Sequence, residues 1–285
     1  MTYLVQRDAA SKPRLALPQR SCDCHAHIFG AAATYPFTVK RDYTPPPAPV
    51  SQYLAMLATL GFERSVIVQP SVYGQDNRCT LDAVGTIGLH RARAVVAVEV
   101  DSSKTTLAAL RERGARGVRF MKVESDAEAL DSLRSLAVKL AGLGMHIQLY
   151  VRPQVWRRVL PVLEETGVHI VLDHIAHITA DLRAEAANID ALCAALDRGQ
   201  TWVKLSQCRG SLSNHPYLDT TPLAARIAAH APERCVWGTD WPHPNSKGHM
   251  PDDGELVDLM AGWAPDAALR QRILVDNPTT LYDFE

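Results

Sequence analysis

The sequence predicts an α/β protein, a distorted (β/α)8, TIM-like barrel in a single domain over residues 1–285, and three observations carry that reading. Short apolar runs alternate with longer amphipathic ones, the order that gives parallel strands joined by helical crossovers. The runs number eight. Several of them, such as Val66–Val68 and Ile170–Leu172, are apolar at consecutive positions, as strands covered on their outer face must be. At 285 residues and 47% hydrophobic content, the chain suits one such barrel and does not demand two domains. A doubly wound open sheet is the alternative, weakened because no Gly-rich phosphate loop opens a helix.

The first strand is Cys22–His27. Alternation places Asp23, His25 and His27 on one side, so two imidazoles converge on a point where they can hold a divalent metal or face a substrate carbonyl. Two ordinary histidines beside a turn would leave the same pattern. Residues Phe29 to Val50, with Tyr43-Thr44-Pro45-Pro46-Pro47, read as a loop because proline excludes helix and central strand. A helix follows over Ser51–Leu60, with Ser51 as N-cap and Gly61 as its stop. Further strands are expected at Ser65–Gln69, Ala94–Glu99, Gly117–Phe120, His146–Tyr150, His169–Asp173, Trp202–Ser206 and Cys235–Gly238. Helical patterns lie between them at Thr80–His90, Thr105–Arg113, Ala127–Leu143, Pro153–Glu165, Ala180–Arg198 and Pro222–Ala231.

Composition narrows the partners. The formal net charge is −1 with no basic block, which argues against nucleic acid. No apolar run approaches the ~20 residues that span a bilayer, and Met1 to Arg20 lacks the apolar segment of a signal peptide. The six cysteines are scattered, and Cys22-x-Cys24 has no second pair to complete a zinc knuckle. Reduced thiols in a cytoplasmic protein are expected. The sequence is compatible with a homo-oligomer.

A barrel of this kind demands chemistry at the C-terminal ends of its strands. Those ends carry His25 and His27, Gln69 and Ser71, Glu99, Arg119, Gln148 and Tyr150, Asp173 and His174, Ser206 and Arg209, and Asp240. Each has a bland explanation alone: His174 as a core histidine, Asp240 as a turn residue. Their regular placement is harder to dismiss.

The run Cys22-Asp23-Cys24-His25-Ala26-His27-Ile28-Phe29-Gly30 resembles the opening of the amidohydrolase superfamily, in particular the branch containing 2-pyrone-4,6-dicarboxylate lactonase. Matching stretches are Tyr43-Thr44-Pro45-Pro46, Val68-Gln69-Pro70-Ser71-Val72-Tyr73-Gly74, Gly117-Val118-Arg119-Phe120, Leu172-Asp173-His174 and Trp237-Gly238-Thr239-Asp240-Trp241-Pro242-His243-Pro244-Asn245. The resemblance covers nearly the whole chain. It implies hydrolysis of a lactone or a related lactone rearrangement. Asp240 would be the general base for water, and His25, His27 and His174 would polarise the carbonyl directly or through a cation. Arg119 and Arg209 suit an anionic substrate, since a guanidinium meets a carboxylate with two parallel hydrogen bonds. Tyr43, Ser71 and Tyr150 are neutral donors resembling the family's substrate contacts.

The set His25, His27, His174 and Asp240 would also hold a single divalent metal, zinc or manganese. The resemblance favours no cofactor, because the branch is expected to work without one. The chain departs from the branch in two places. His177 stands where an arginine is expected, and Phe120-Met121-Lys122-Val123-Glu124 lacks a second arginine, with Lys122 as the available substitute. These changes make a less charged lactone, such as a muconolactone, sulfomuconolactone or sugar-acid lactone, competitive with the dicarboxylate. The alternatives on the same barrel are a metal-dependent decarboxylase of an aromatic or muconate acid, a lactone isomerase, and a barrel that only binds. The last is disfavoured because binding alone makes no demand for a general base.

Overall fold

A computed structural model describes residues 9–123, 126–213, 215–246 and 249–285. Eight parallel strands follow one another around the sheet in chain order. They are β1 (Cys22–Ala26), β2 (Arg64–Val68), β3 (Ala92–Val96), β4 (Ala115–Phe120), β5 (His146–Leu149), β6 (Ile170–Leu172), β7 (Thr201–Lys204) and β8 (Cys235–Val236). The ring closes because β8 runs on beside β1. Cys24 N–H donates to Trp237 O at 2.9 Å, Asp240 N–H to His25 O at 2.8 Å, and His27 N–H to Trp241 O at 2.7 Å. The expected barrel architecture is what the chain adopts.

Helices α1 (Val50–Leu60), α2 (Arg78–Ile87), α3 (Lys104–Glu112), α4 (Ala127–Ala141), α5 (Pro153–Glu164), α6 (Ala186–Asp197) and α7 (Thr221–His230) cover the outside. Outward strand residues such as Ile67, Ala94, Ile147, Leu172 and Val203 pack with the helices in one apolar core. Inward residues Cys24, Val66, Val95, Val171 and Trp202 form a second cluster with Tyr282 and Phe284. The end of the chain thus plugs the barrel's lower mouth. Arg93 fastens the plug by donating through Nε to Tyr282 O at 3.0 Å, and Arg64 by donating to Val275 O at 3.1 Å. With apolar and aromatic side chains filling the bottom, polar inward positions are left to the upper, C-terminal end of the strands, where the chemistry must sit.

Two sequence expectations are corrected here, and one region gains elements. Ser51 is not the N-cap of α1: the helix begins at Val50 after an extended Pro49, because Ala48 is pinned by two backbone hydrogen bonds to Phe29. Residues from Ala180 do not start α6, which begins at Ala186; the Asp181 carboxylate accepts from the N–H groups of Arg183 and Ala184, diverting the backbone into a turn. Short helices after β8, α8 (Asp253–Asp258), α9 (Met260–Trp263), α10 (Ala267–Gln271) and α11 (Asn277–Tyr282), were not expected. Among the described residues, no helix is long and apolar enough to cross a membrane. All six cysteines are free thiols.

Gly238 makes the closing seam. A Cβ there would lie 2.6 Å from both the backbone N and the Cβ of His25, where rigid strand backbone has no room to give. Gly238→Ala is expected to lower stability by at least ~2 kcal/mol, the cost of overpacking a tight contact, measured by urea denaturation. A loss under ~0.5 kcal/mol, the size of an ordinary surface change, would mean that the seam is not closed by this contact.

Candidate active site

The first strand does not alternate as expected. Its pairing with β2 slips between Asp23 and Ala26, so one residue is accommodated as a bulge. Asp23 therefore faces outward, away from His25 and His27. Its Oδ2 accepts from the hydroxyls of Tyr53 on α1 (3.0 Å) and Thr239 (2.7 Å), and its Oδ1 from Thr239 N–H at 2.9 Å. Burial pushes the Asp23 carboxyl up to about 6, even against these hydrogen bonds. Asp23 is thus a brace for the segment after β8 that carries Asp240.

His25 and His27 point into the barrel, where strained backbone delivers their partners. His174, Ile175, Ala176 and His177 all have φ between 48° and 58°. Four successive non-glycine residues in the left-handed region cost roughly 1–2 kcal/mol each. The turn is held by Trp156, whose Nε1–H donates to Ala176 O at 3.0 Å, and by burial of Ile175 and Ala176. Asp240 is also left-handed, with φ 67°. Strain of this kind persists where surrounding structure over-determines it, and it collects at functional sites.

The result is a convergence of side chains around one carboxylate oxygen. Asp240 Oδ1 lies 3.5 Å from His27 Nε2, 3.7 Å from His25 Nε2 and 4.0 Å from His174 Nε2. Its other oxygen, Oδ2, accepts from Arg209 Nε at 2.5 Å. Burial alone would raise the Asp240 carboxyl, but the Arg209 guanidinium and the neighbouring His174, His27 and His25 together outweigh it and hold the group well below the usual carboxylate range. Burial lowers all three imidazoles, His174 to about 3, and Lys204 adds to the effect at His25. At neutral pH the site is an ionised carboxylate among neutral histidines.

Beneath them lies a layer centred on Lys204, the one member of it that the sequence reading passed over. Lys204, wholly buried on β7, places Nζ 2.8 Å from Gln148 Oε1, 3.3 Å from His25 Nδ1 and 3.6 Å from Asp173 Oδ1. Asp173 Oδ2 accepts from Arg119 Nε and Gln148 Nε2, each at 3.0 Å. A lysine in the middle of an apolar strand pattern, Trp202-Val203-Lys204-Leu205, was the available signal.

Above Asp240 opens a cavity of about 170 Å³. Its walls include Tyr43, Ser71, Arg119, Tyr150 and Arg209, with His27 and His174 at its base. The structure therefore brings together nine of the ten expected site residues, His25 lying directly under this base. The tenth, His177, is not in the wall but packs edge-on against Tyr150 at 4.3 Å. Burial lowers its imidazole, so it does not replace an arginine's charge. Lys122 lines a different cavity, with Val100 and Leu133, and is no substitute either. Glu124, at the end of that loop, lies outside the described residues. Gln69 braces its own loop through Gly74 O and Asp76 O, and Glu99 faces a separate surface hollow. Asp42, Met121 and Asn245 in the wall were missed, since nothing in their local sequence marks them.

A barrel whose last strand delivers a carboxylate among three strand-end imidazoles defines a class of hydrolytic enzymes. Residues 22–284 match the amidohydrolase family, and the chain belongs to that family. It is 37% identical over 289 aligned residues to the 2-pyrone-4,6-dicarboxylate hydrolase of Comamonas testosteroni, covering 95% of this chain and 93% of that protein. It is 36% identical to the 4-sulfomuconolactone hydrolase of Rhizobium radiobacter, over 94% and 91% of the two chains. The D-galactarolactone isomerase of Agrobacterium fabrum is 31% identical, over 99% and 97%.

Amidohydrolase-type barrels frequently hold a metal, and the donor set here fits one. Donors bound to zinc at 2.0–2.1 Å in a tetrahedron lie roughly 3.4 Å apart, close to the 3.5–4.0 Å between Asp240 Oδ1 and the imidazole nitrogens. Asp240, His25, His27 and His174 would hold the ion, which would supply Lewis-acid polarisation of a carbonyl.

The left-handed turn at His174 is testable at Ala176, which is buried and has φ 56°. In ordinary helix, Ala→Gly costs ~0.5–1 kcal/mol in backbone entropy, plus ~0.8 kcal/mol for the lost buried methyl. At a left-handed residue the backbone term reverses. Ala176→Gly is therefore expected to leave unfolding free energy within ~0.5 kcal/mol of the parent by chemical denaturation. A loss near 2 kcal/mol would show that the turn stores no strain.

Proposed function

We propose that this chain opens the ring of an anionic lactone by attack of water, and that residues 1–285 act as one barrel domain to do so. The observation that carries the reading is the approach of three neutral imidazoles to one oxygen of an ionised, buried Asp240 at the floor of an arginine-walled cavity. Lactone hydrolysis needs an activated water, a polarised carbonyl and a stabilised oxyanion. Asp240 Oδ1 is the acceptor for the water's proton, while Arg209 holds Oδ2 and fixes the carboxylate's orientation. The relatives named above, two lactone hydrolases among them, support the same reaction class.

The histidines divide the remaining work by tautomer, assigned here from their partners. His27 Nδ1 is 2.7 Å from Val68 O and must donate to it, which leaves the Nε2 lone pair to accept from water. His25 Nδ1 accepts from Lys204, which puts its proton on Nε2, where it can donate to the carbonyl oxygen as negative charge develops. Asp173 Oδ1, also 3.3 Å from His25 Nδ1, lacks hydrogen-bond geometry to it. His174 adds a third polar nitrogen at the same point. Lys204 and Arg209 supply positive charge beside His25 and Asp240, which favours action without a cofactor.

Arg119 and Arg209 anchor the substrate's anionic group, with Tyr43, Ser71 and Tyr150 as neutral donors. Each arginine already spends donors on a carboxylate and a carbonyl oxygen, Gln69 O for Arg119 and Pro244 O for Arg209. With His177 neutral and Lys122 turned elsewhere, the site favours one strong anionic group over two. Muconolactones and sugar-acid lactones fit that description.

Asp240→Asn is expected to keep the fold, by circular dichroism, and to lower kcat at least ~10²-fold, the low end for loss of a general base. Near-parental turnover would remove Asp240 from the mechanism.

The substrate reading is checked by kcat/KM for 2-pyrone-4,6-dicarboxylate against monoanionic muconolactones and aldonolactones, before and after exhaustive chelation. The monoanionic lactones are expected to be preferred, and activity to survive chelation. A dicarboxylate preference above about tenfold, roughly 1.4 kcal/mol of transition-state stabilisation, would overturn the charge argument. A chelated enzyme that is dead until zinc is restored would make the histidines metal ligands. Isomerised rather than opened product would move the chain to the isomerase reading.

A further inference from the structure

Beside the site stand two residues, Cys208 and His243, that take no part in the chemistry above. Cys208 lies half-buried in the turn Gln207–Arg209 directly after β7. Its Sγ, the His243 imidazole and a carboxylate oxygen of Asp240 lie within 4.8 Å of one another. His243 Nε2 is 2.9 Å from Asp253 Oδ1 in the first turn of α8, and both residues are buried. Nδ1 of His243 is buried too, and among the described residues it has no hydrogen-bond partner. Thiol, imidazole and carboxylate stand in the order of an activated nucleophile, its base and the group that orients the base. The other cysteines differ: Cys22, Cys24, Cys79 and Cys235 are buried, and burial raises the thiol of the half-buried Cys193.

We propose that Cys208 is a modification site, a thiol oxidised by hydrogen peroxide to the sulfenic acid, and that its oxidation switches the enzyme off by dislodging Arg209 from Asp240. The sulfur attacks one peroxide oxygen, an S–O bond forms and the O–O bond breaks. Sulfur loses two electrons and peroxide is reduced to hydroxide. The thiol proton, passed through His243, joins the hydroxide as water. The new oxygen must be accommodated beside a residue whose neighbour, Arg209, is held by two short contacts, Asp240 Oδ2 at 2.5 Å and Pro244 O at 2.8 Å. The loss of activity rests on the role proposed for Asp240; the oxidation of Cys208 does not.

The test exposes purified protein to graded hydrogen peroxide with a sulfenate-selective 1,3-diketone trap and maps the label by peptide mass spectrometry. Residual activity is followed in parallel on the best lactone of the panel. Cys208 is expected to be labelled at least ~10-fold faster than Cys193, as a thiol beside an imidazole held by a carboxylate should be. Activity should fall in step with the label and return with dithiothreitol. Cys208→Ser should keep basal activity and resist inactivation, and Asp253→Asn should slow the labelling of Cys208. Labelling of Cys193 as fast as Cys208 overturns the proposal on the parent protein alone, with no variant needed. Inactivation of Cys208→Ser at the parental rate, or full activity in protein labelled at Cys208, overturns the switch.

Discussion

The seam between β1 and β8 is the constraint on which the site depends. Three backbone hydrogen bonds tie Cys24, His25 and His27 to the segment Trp237–Trp241, and Gly238 lets the two backbones approach. On its other edge, β1 carries a bulge against β2 that turns Asp23 out and leaves His25 and His27 facing in. Asp23 then reaches back to Thr239, one residue before Asp240. The first and last strands, over 200 residues apart in the chain, therefore place the histidines and the carboxylate as one unit. A buried polar network of this sort is worth having only when its members are satisfied, and the hydrogen bonds to Asp23 meet that requirement.

Electrostatics inside the barrel follow from stacking charged side chains above an apolar plug. Each carboxylate has a guanidinium: Asp173 has Arg119 and Asp240 has Arg209. Lys204 stands beyond that balance, next to His25. Neutral imidazoles in this setting are a consequence of burial, and they leave the upper end of the barrel suited to a ligand that brings negative charge. The arginines are held in place before any ligand arrives, which limits the ordering cost of binding.

Backbone strain is concentrated in the same region. His174, Asp240, His243 and Asn245 all adopt left-handed conformations that side chains ordinarily avoid. These residues sit at the ends of β6 and β8, where the strand must stop and turn an inward side chain toward the axis. The rigid barrel wall and the helices behind it make that conformation tolerable, and regular strand geometry would not aim these groups at one point.

Much was legible from the residues alone. Eight apolar runs with helical spacers specify the barrel because the period of a buried strand and that of an amphipathic helix differ. Histidines, arginines and carboxylates at strand ends marked the site because the fold brings those ends to one face. Motif matches added the family. Local pattern could not show that β1 is bulged, since a bulge depends on pairing with β2; that decided the fate of Asp23. Nor could it show that Lys122 points away while Lys204, deep in a strand, touches His25, because side-chain direction inside a closed barrel is set by register and closure. The sequence determined which chemical groups reach the mouth of the barrel. Only the tertiary structure decided which of them meet, since their meeting depends on contacts between strands far apart in the chain.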